Sequence, residues 1–260
     1  MRKLLAMGAS PQATSSPGQR GDYILHLAVL LGNANLVRVL VEHGAALEEP
    51  TEERRTPLHL AAKYNEASTA AVLLDAGALV NSRSYGDESL ALDSAASNGN
   101  EATMIVLLRH GVNVHSCRST GHTALHDAAA VNEIGAIRLL VEAGGCRRAG
   151  PARSDSSPLH TAATAGNAEV VRVLIRHGVD TSTPDSRGRT ALHHAADRNA
   201  VGVIDALAST GGDVNARDGD GWTPLHHACS SHAFGAVEVL LRNGVNVNSP
   251  DSDEQLPLHR

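Results

Sequence analysis

The chain has few aromatic residues: one Trp, three Tyr and one Phe, 2% of 260 residues. A globular core of this length normally draws on aromatic volume. Here Ala, Leu and Val must fill that role, which suits thin helices stacked closely. Cysteine is scarce too. Cys117, Cys146 and Cys229 are odd in number and widely spaced, which speaks against a disulfide framework and for a reducing compartment, cytosol or nucleus. No uninterrupted apolar run reaches the length of a membrane span, and the stretch Met1 to Gly8 is too short in its apolar part for a secretory signal. Basic charge is not in excess. The 22 basic and 28 acidic side chains leave −6 with His neutral, which argues against a nucleic-acid surface. The sequence also lacks a serine nucleophile elbow, a glycine-rich phosphate loop and paired carboxylates. It therefore reads as a non-enzyme without a cofactor.

What is present is a repeat. Leu25, Leu58, Leu92, Leu125, Leu159, Leu192, Leu225 and Leu258 recur at intervals of 33 or 34 residues. The next residue is His in every case but Asp93. Fifteen residues after the first seven leucines stands another Leu, and nineteen after them a Gly, seven times out of seven. That Gly closes a helical pattern such as Val170–Ile175, where a left-handed residue ends the helix. His43, His110 and His177 just before it can donate to the last carbonyls. Seven residues after the leucine stand Gly32, Asn65, Gly99, Asn132, Gly166, Asn199 and His232. Most of these are types that tolerate positive φ, so a second left-handed turn separates two helices. Each unit is thus helix, tight turn, helix and polar loop. One unit cannot bury its apolar face alone, so neighbours must stack.

The stretch Trp222-Thr223-Pro224-Leu225-His226-His227-Ala228 resembles the Thr-Pro-Leu-His signature of ankyrin repeats. Arg189–Ala196 and Arg55–Ala62 resemble it equally, and Gly211–Ala216 is similar to the family's Gly-Ala-Asp-Val-Asn-Ala. The resemblance covers essentially the whole chain. It implies an all-α solenoid of helix-turn-helix units joined by short β-hairpins, with hairpin tips and inner helices lining a groove that binds a partner protein. Residues 22–254 read as seven repeats, 1–21 as the remnant of an outer helix plus loop, and 255–260 as the start of a truncated eighth repeat. The unfinished ends suggest a piece of a longer array. The signature Thr and His are expected to bond within and between repeats. Asp93, which cannot donate when ionised, should then mark a weak point, and residues 145–155 should form an irregular hairpin.

Fifteen histidines invite a metal reading, and His226, His227, Cys229 and His232 have helical spacing. No closed four-ligand set with zinc spacing exists. Asp218-Gly219-Asp220-Gly221 opens like a calcium loop but lacks the closing Glu. His194 and His227 occupy equivalent places in neighbouring repeats and should form a row, either a polar contact surface or a solvated face. The tips change sign along the chain: Glu52, Glu53, Arg54 and Arg55 early, Arg118, His122, Arg147, Arg148, Arg153, Arg187 and Arg189 in the middle, Asp218, Asp220, Asp251, Asp253 and Glu254 late. An acidic peptide or loop of a partner, steered by the middle arginines, would dock across repeats 4 to 6. Arg198 and Trp222 join His194 and His227 in that expected surface, although Trp222 can equally pack on its own hairpin.

The expected function is a monomeric protein-interaction scaffold or adaptor in cytoplasm or nucleus. The alternative is a regulatory or substrate-recruiting segment of a larger enzyme or channel, such as a ubiquitin ligase, acyltransferase or ion channel. The family resemblance also implies candidate asparaginyl hydroxylation at Asn81, Asn215 and Asn248, each with Leu eight residues earlier.

Overall fold

The computed structural model describes residues 24–145 and 157–260. The expected remnant at 1–21 and the expected irregular hairpin near 145–155 fall essentially outside these residues. The chain divides into two compact units, up to Ser119 and from Thr120 onward. The first holds three helix pairs: α1 (Ile24–Leu30) with α2 (Ala34–Glu42), α3 (Pro57–Lys63) with α4 (Ala67–Asp75), and α5 (Ala91–Ser97) with α6 (Glu101–Arg109). The second holds four: α7 (Ala124–Val131) with α8 (Ile134–Glu142), α9 (Pro158–Ala165) with α10 (Ala168–Arg176), α11 (Ala191–Asp197) with α12 (Val201–Ser209), and α13 (Pro224–Ser230) with α14 (Phe234–Arg242). A 3₁₀ turn at Pro257–His259 packs on α13. Within each unit, first helices pack on first helices and second on second.

The helices are short and stop where the sequence says they must. All seven residues at the turn between paired helices have positive φ, including Asn65 at 59° and His232 at 54°. So do all seven glycines at the ends of the second helices. The repeated leucines are the core: Leu40, Leu73, Leu107, Leu140, Leu174, Leu207 and Leu240 are essentially inaccessible. Each is worth roughly 1.5–3 kcal/mol when fully buried. Buried Ala pairs such as Ala61-Ala62, Ala128-Ala129 and Ala195-Ala196 let the first helices approach closely.

The signature histidine does two jobs. Its Nδ1 accepts the backbone N–H of the residue that caps the helix, from Thr123 to His126 (3.1 Å), Ser157 to His160, Thr190 to His193 and Thr223 to His226 (3.0 Å each). That is the capping-box bond usually made by Glu three residues into a helix. Because Nδ1 accepts, the proton sits on Nε2. From there His160 donates to the Arg189 carbonyl, His193 to that of Trp222 (both 3.0 Å) and His226 to that of Gln255 (3.2 Å). In the first unit His59 donates likewise to Ser89 (3.0 Å). One ring therefore ties a helix start to the hairpin of the following repeat. His43 and His177 use the other tautomer and donate from Nδ1 to the Val39 and Val173 carbonyls, as helix-end donors should, while His110 donates from Nδ1 to the Val106 carbonyl and from Nε2 to Asp75 (3.3 Å).

The connections are tight hairpin turns, each with a backbone bond in both directions across it: the amides of Gly188, Gly221 and Glu254 donate to the carbonyls of Asp185, Asp218 and Asp251. The amides of Asp185, Asp218 and Asp251 donate to the carbonyls of Arg189, Trp222 and Gln255. Neighbouring tips join through Gly219 N–H to the Arg187 carbonyl (2.8 Å). Among the described residues no strand forms. Asp185 pins its turn with Oδ1, which accepts the amides of Arg187 and Arg189 at 2.9 Å.

Two outcomes follow. Burial pushes the pKa of His59, His160, His193 and His226 below the ordinary 6.5, and for His193 burial and the neighbouring His227 bring it to about 4. These rings are neutral when folded and take protons more readily once unfolded. The unfolded chain thus binds more protons between pH 6.5 and about 4, and acidification across that window removes stability. Urea midpoints should be flat from pH 8.5 to 7.5 and fall steadily from 6.5 to 4.5; a constant midpoint contradicts the histidine bonds. Asp185→Ala should cost about 2 kcal/mol of unfolding free energy by freeing two turn amides, whereas Arg187→Ala should stay within about 0.5 kcal/mol.

Candidate functional site

On the first helices the residues two, five and six places after the buried Leu are mostly half-buried or exposed, Leu60 and Ser94 being the buried exceptions. In the second unit these include His194, Asp197 and Arg198 on or just after α11, and His227 on α13. Neither His194 nor His227 is a freely presented polar group. His194 Nε2 donates to Asp185 Oδ2 (2.9 Å) and His227 Nε2 to Asp218 Oδ2 (2.8 Å). Each histidine thus lies against the aspartate of its own hairpin, nine residues upstream. Arg260 meets Asp251 at the same nine-residue spacing. Residues at that spacing in the sequence are the signal that would have disclosed the pairs. The rings also interlock with the preceding repeat: His194 stands edge-on to His160 (5.3 Å between centroids) and His227 to His193 (5.5 Å). Burial lowers the His194 pKa against the pull of Asp185, so its ring is neutral at pH 7. Partial burial opposes charge on Asp185, yet hydrogen bonds from Arg189 and His194 hold its carboxyl at about 2.

The middle arginines divide in two. Arg118 lies 3.9 Å from the buried carboxylate of Asp93, and Arg189 pairs with Asp185 at 3.1 Å. Both are among the expected partner-binding residues, and both pair with carboxylates of their own unit. Arg187 is exposed, and Arg198 is exposed beside Asp197 (4.0 Å). Arg153 lies outside the described residues. Asp93 is also more useful than its chemistry suggested: Oδ2 accepts the Leu90 amide at 2.7 Å, keeping the capping half of the histidine's role.

Trp222 is half-buried. It stacks on His226 (6.0 Å), meets His227 edge-on (5.1 Å) and carries the Arg260 guanidinium 4.8 Å from its ring. It packs on its own hairpin and helix start. His122, at the equivalent place before α7, stacks on His126 at 5.1 Å. A cleft of about 410 Å³ opens along α7, α9 and α11, lined by His122, His160, Thr161, Thr164, His194 and Arg198. The structure thus brings His122, His194 and Arg198 to one opening, together with Thr161, which stands at the place equivalent to His194, and Thr164, which sequence reasoning missed. Among the described residues no three His, Cys, Asp or Glu side chains are placed to hold a metal ion, and no helix is long and apolar enough to cross a membrane. Asn81, Asn215 and Asn248 are exposed. The side-chain oxygens of Asn81 and Asn215 accept the amides of Asn113 (2.8 Å) and Asn246 (2.7 Å) in the following repeats.

Comparison with known proteins accords with this architecture. A family model described as ankyrin repeats (3 copies) matches residues 1–84 and 146–218, and one described as ankyrin repeats (many copies) matches residues 207–260. No curated protein sequence matches. Among solved structures, the ankyrin repeat domain of Bcl-3, described as a unique member of the IkappaB protein family, is 28% identical with a TM-score of 0.75. That match covers 85% of this chain and 99% of that one. The human ASB11 ankyrin repeat domain, 24% identical over 78% of this chain and 90% of its own, shares the fold with a TM-score of 0.70. With more than half of its length matched by these models, the chain belongs to the ankyrin repeat family.

Proposed function

We propose that this chain is a protein-interaction scaffold or adaptor whose second unit receives an acidic peptide or loop of a partner protein. Ankyrin repeat domains generally mediate protein–protein interaction, and they are typically not enzymes. The observation that carries the narrower reading is the cleft along α7, α9 and α11, with Arg198 at its side and threonine hydroxyls within it. The cationic residues differ from those the sequence alone favoured. Arg118 and Arg189 are held by Asp93 and Asp185, so Arg187 and Arg198 are the described middle arginines left to steer a partner. Rim charges of this kind act mainly on encounter rate and on salt dependence. His160 and His194 line the cleft, and His194 is held in place by Asp185.

The test uses the intact chain as an affinity bait beside Arg187→Glu/Arg198→Glu, with equal helix content verified by circular dichroism. The variant should lose the partner retained by the parent, and the parent should retain less of it as salt rises. Retention of the same partner by both, independent of salt, would sink the acidic-segment reading.

A further inference from the structure

Three hairpins carry a hydroxyl at the same place, nine residues before the signature leucine: Ser116 before Leu125, Thr183 before Leu192 and Ser249 before Leu258. Two of these are followed by proline, in Thr183-Pro184 and Ser249-Pro250. Proline holds the residue before it in an extended conformation, the form in which a protein kinase takes up its substrate segment. Ser249 is half-buried between exposed Asn248 and Pro250. What separates the two motifs is the charge each meets. Arg217, on the preceding hairpin, donates from Nη1 to the Pro250 carbonyl at 2.6 Å. It is exposed, and it spends that bond on a carbonyl rather than a carboxylate. Gly221 makes room for it, since a Cβ there would stand 2.6 Å from Nη2. Asp251, two residues after Ser249, is buried and met by Arg260, so it does not draw on Arg217.

The first unit shows how far an arginine in this place reaches. Arg83 and Arg217 each precede the residue whose amide closes the hairpin, Ser84 onto Ser89 and Asp218 onto Trp222. Arg83 donates from Nη2 to the Cys117 carbonyl (3.0 Å), the counterpart of that of Pro250, and also to Ser116 Oγ (2.9 Å). The same reach from Arg217 arrives at Ser249 Oγ. Thr183 lacks such a partner. The counterpart of Arg217 one hairpin before it is Pro151. The Thr183 hydroxyl donates to Asp180, whose counterpart before Ser249 is the uncharged Asn246. We propose that Ser249 is phosphorylated by a proline-directed protein kinase, and that Arg217 of the preceding hairpin clasps the phosphate. In the transfer Ser249 Oγ bonds to the γ-phosphorus of ATP held by the kinase. The bond from that phosphorus to the β,γ-bridging oxygen breaks, ADP leaves with the electron pair, and the hydroxyl proton passes to the kinase's catalytic carboxylate. The product carries about −1.5 to −2 charge and three acceptor oxygens, which a planar guanidinium takes in a two-bond fork. The pair ties the hairpin of Arg217 to that of Ser249. Neither residue lines the cleft of the second unit, so this modification is independent of the partner-binding reading.

The intact chain is incubated with a mitogen-activated protein kinase and ATP, beside a peptide of residues 243–256, and the phosphate is located by fragment mass spectrometry. The intact chain should be modified chiefly at Ser249. Ser249→Ala should remove most of the incorporation, and Thr183→Ala should leave it. Phosphorus-31 NMR then follows the second ionisation of the phosphate in the folded product. It should lie roughly one unit below that of the phosphorylated peptide, the low end of what a contacting arginine does to a carboxylate. Arg217→Ala, a change at an exposed side chain that should leave helix content unaltered, should return the ionisation to the peptide value. No phosphate on Ser249 of the intact chain, whether or not the peptide is modified, overturns the proposal. So does incorporation chiefly at Thr183, or a phosphate that titrates alike with and without Arg217.

Discussion

Everything in this molecule depends on a neutral imidazole held at both nitrogens. At His160, His193 and His226 one nitrogen accepts a helix-capping amide and the other donates to a carbonyl of the next repeat's hairpin. A buried polar side chain is tolerable when its bonding capacity is met, and neutral imidazole is the side chain that offers one acceptor and one donor at opposite edges of a rigid ring. The bond fixes the angle at which each hairpin meets the helix before it. The leucine core supplies the bulk of the stabilisation but is non-directional, and the histidine bond sets register between repeats. Asp93 shows the rule by its exception. Its carboxylate can cap but cannot donate when ionised, and an arginine approaches it instead.

The same bond limits what the surface is free to do. The groups that look most like chemistry in the sequence are largely spent on holding hairpins to helices. His194 and His227 close on Asp185 and Asp218; Trp222 is stacked between histidines and Arg260. What stays exposed differs between the units: a polar cleft lined by Arg198 in the second, and Leu27, Leu30, Leu31 and Tyr64 in the first.

Much of the fold was legible because it rests on single-residue requirements. Positive φ selects Gly or Asn, and the turn residues from Gly32 to His232 and the helix-ending glycines all adopt it. The buried leucines announce themselves by period. The site was less legible, since charge in a sequence does not say where it points. Arg118, Arg187 and Arg189 look equivalent as letters, yet two are neutralised by carboxylates far from them or four residues back in the chain. The Asp-to-His spacing of nine residues was readable but needs the hairpin geometry to acquire meaning.

The most direct test of the histidine tie is nitrogen-15 NMR of the imidazole rings in the intact chain at pH 7. His59, His160, His193 and His226 should each show one fixed neutral tautomer with the proton on Nε2, and their Nε2 hydrogens should be visible and slow to exchange, while His43 and His177 should show the Nδ1 form. Averaged tautomers or protonated signature rings at that pH would mean the inter-repeat bond is not made, and the account would fail at its base.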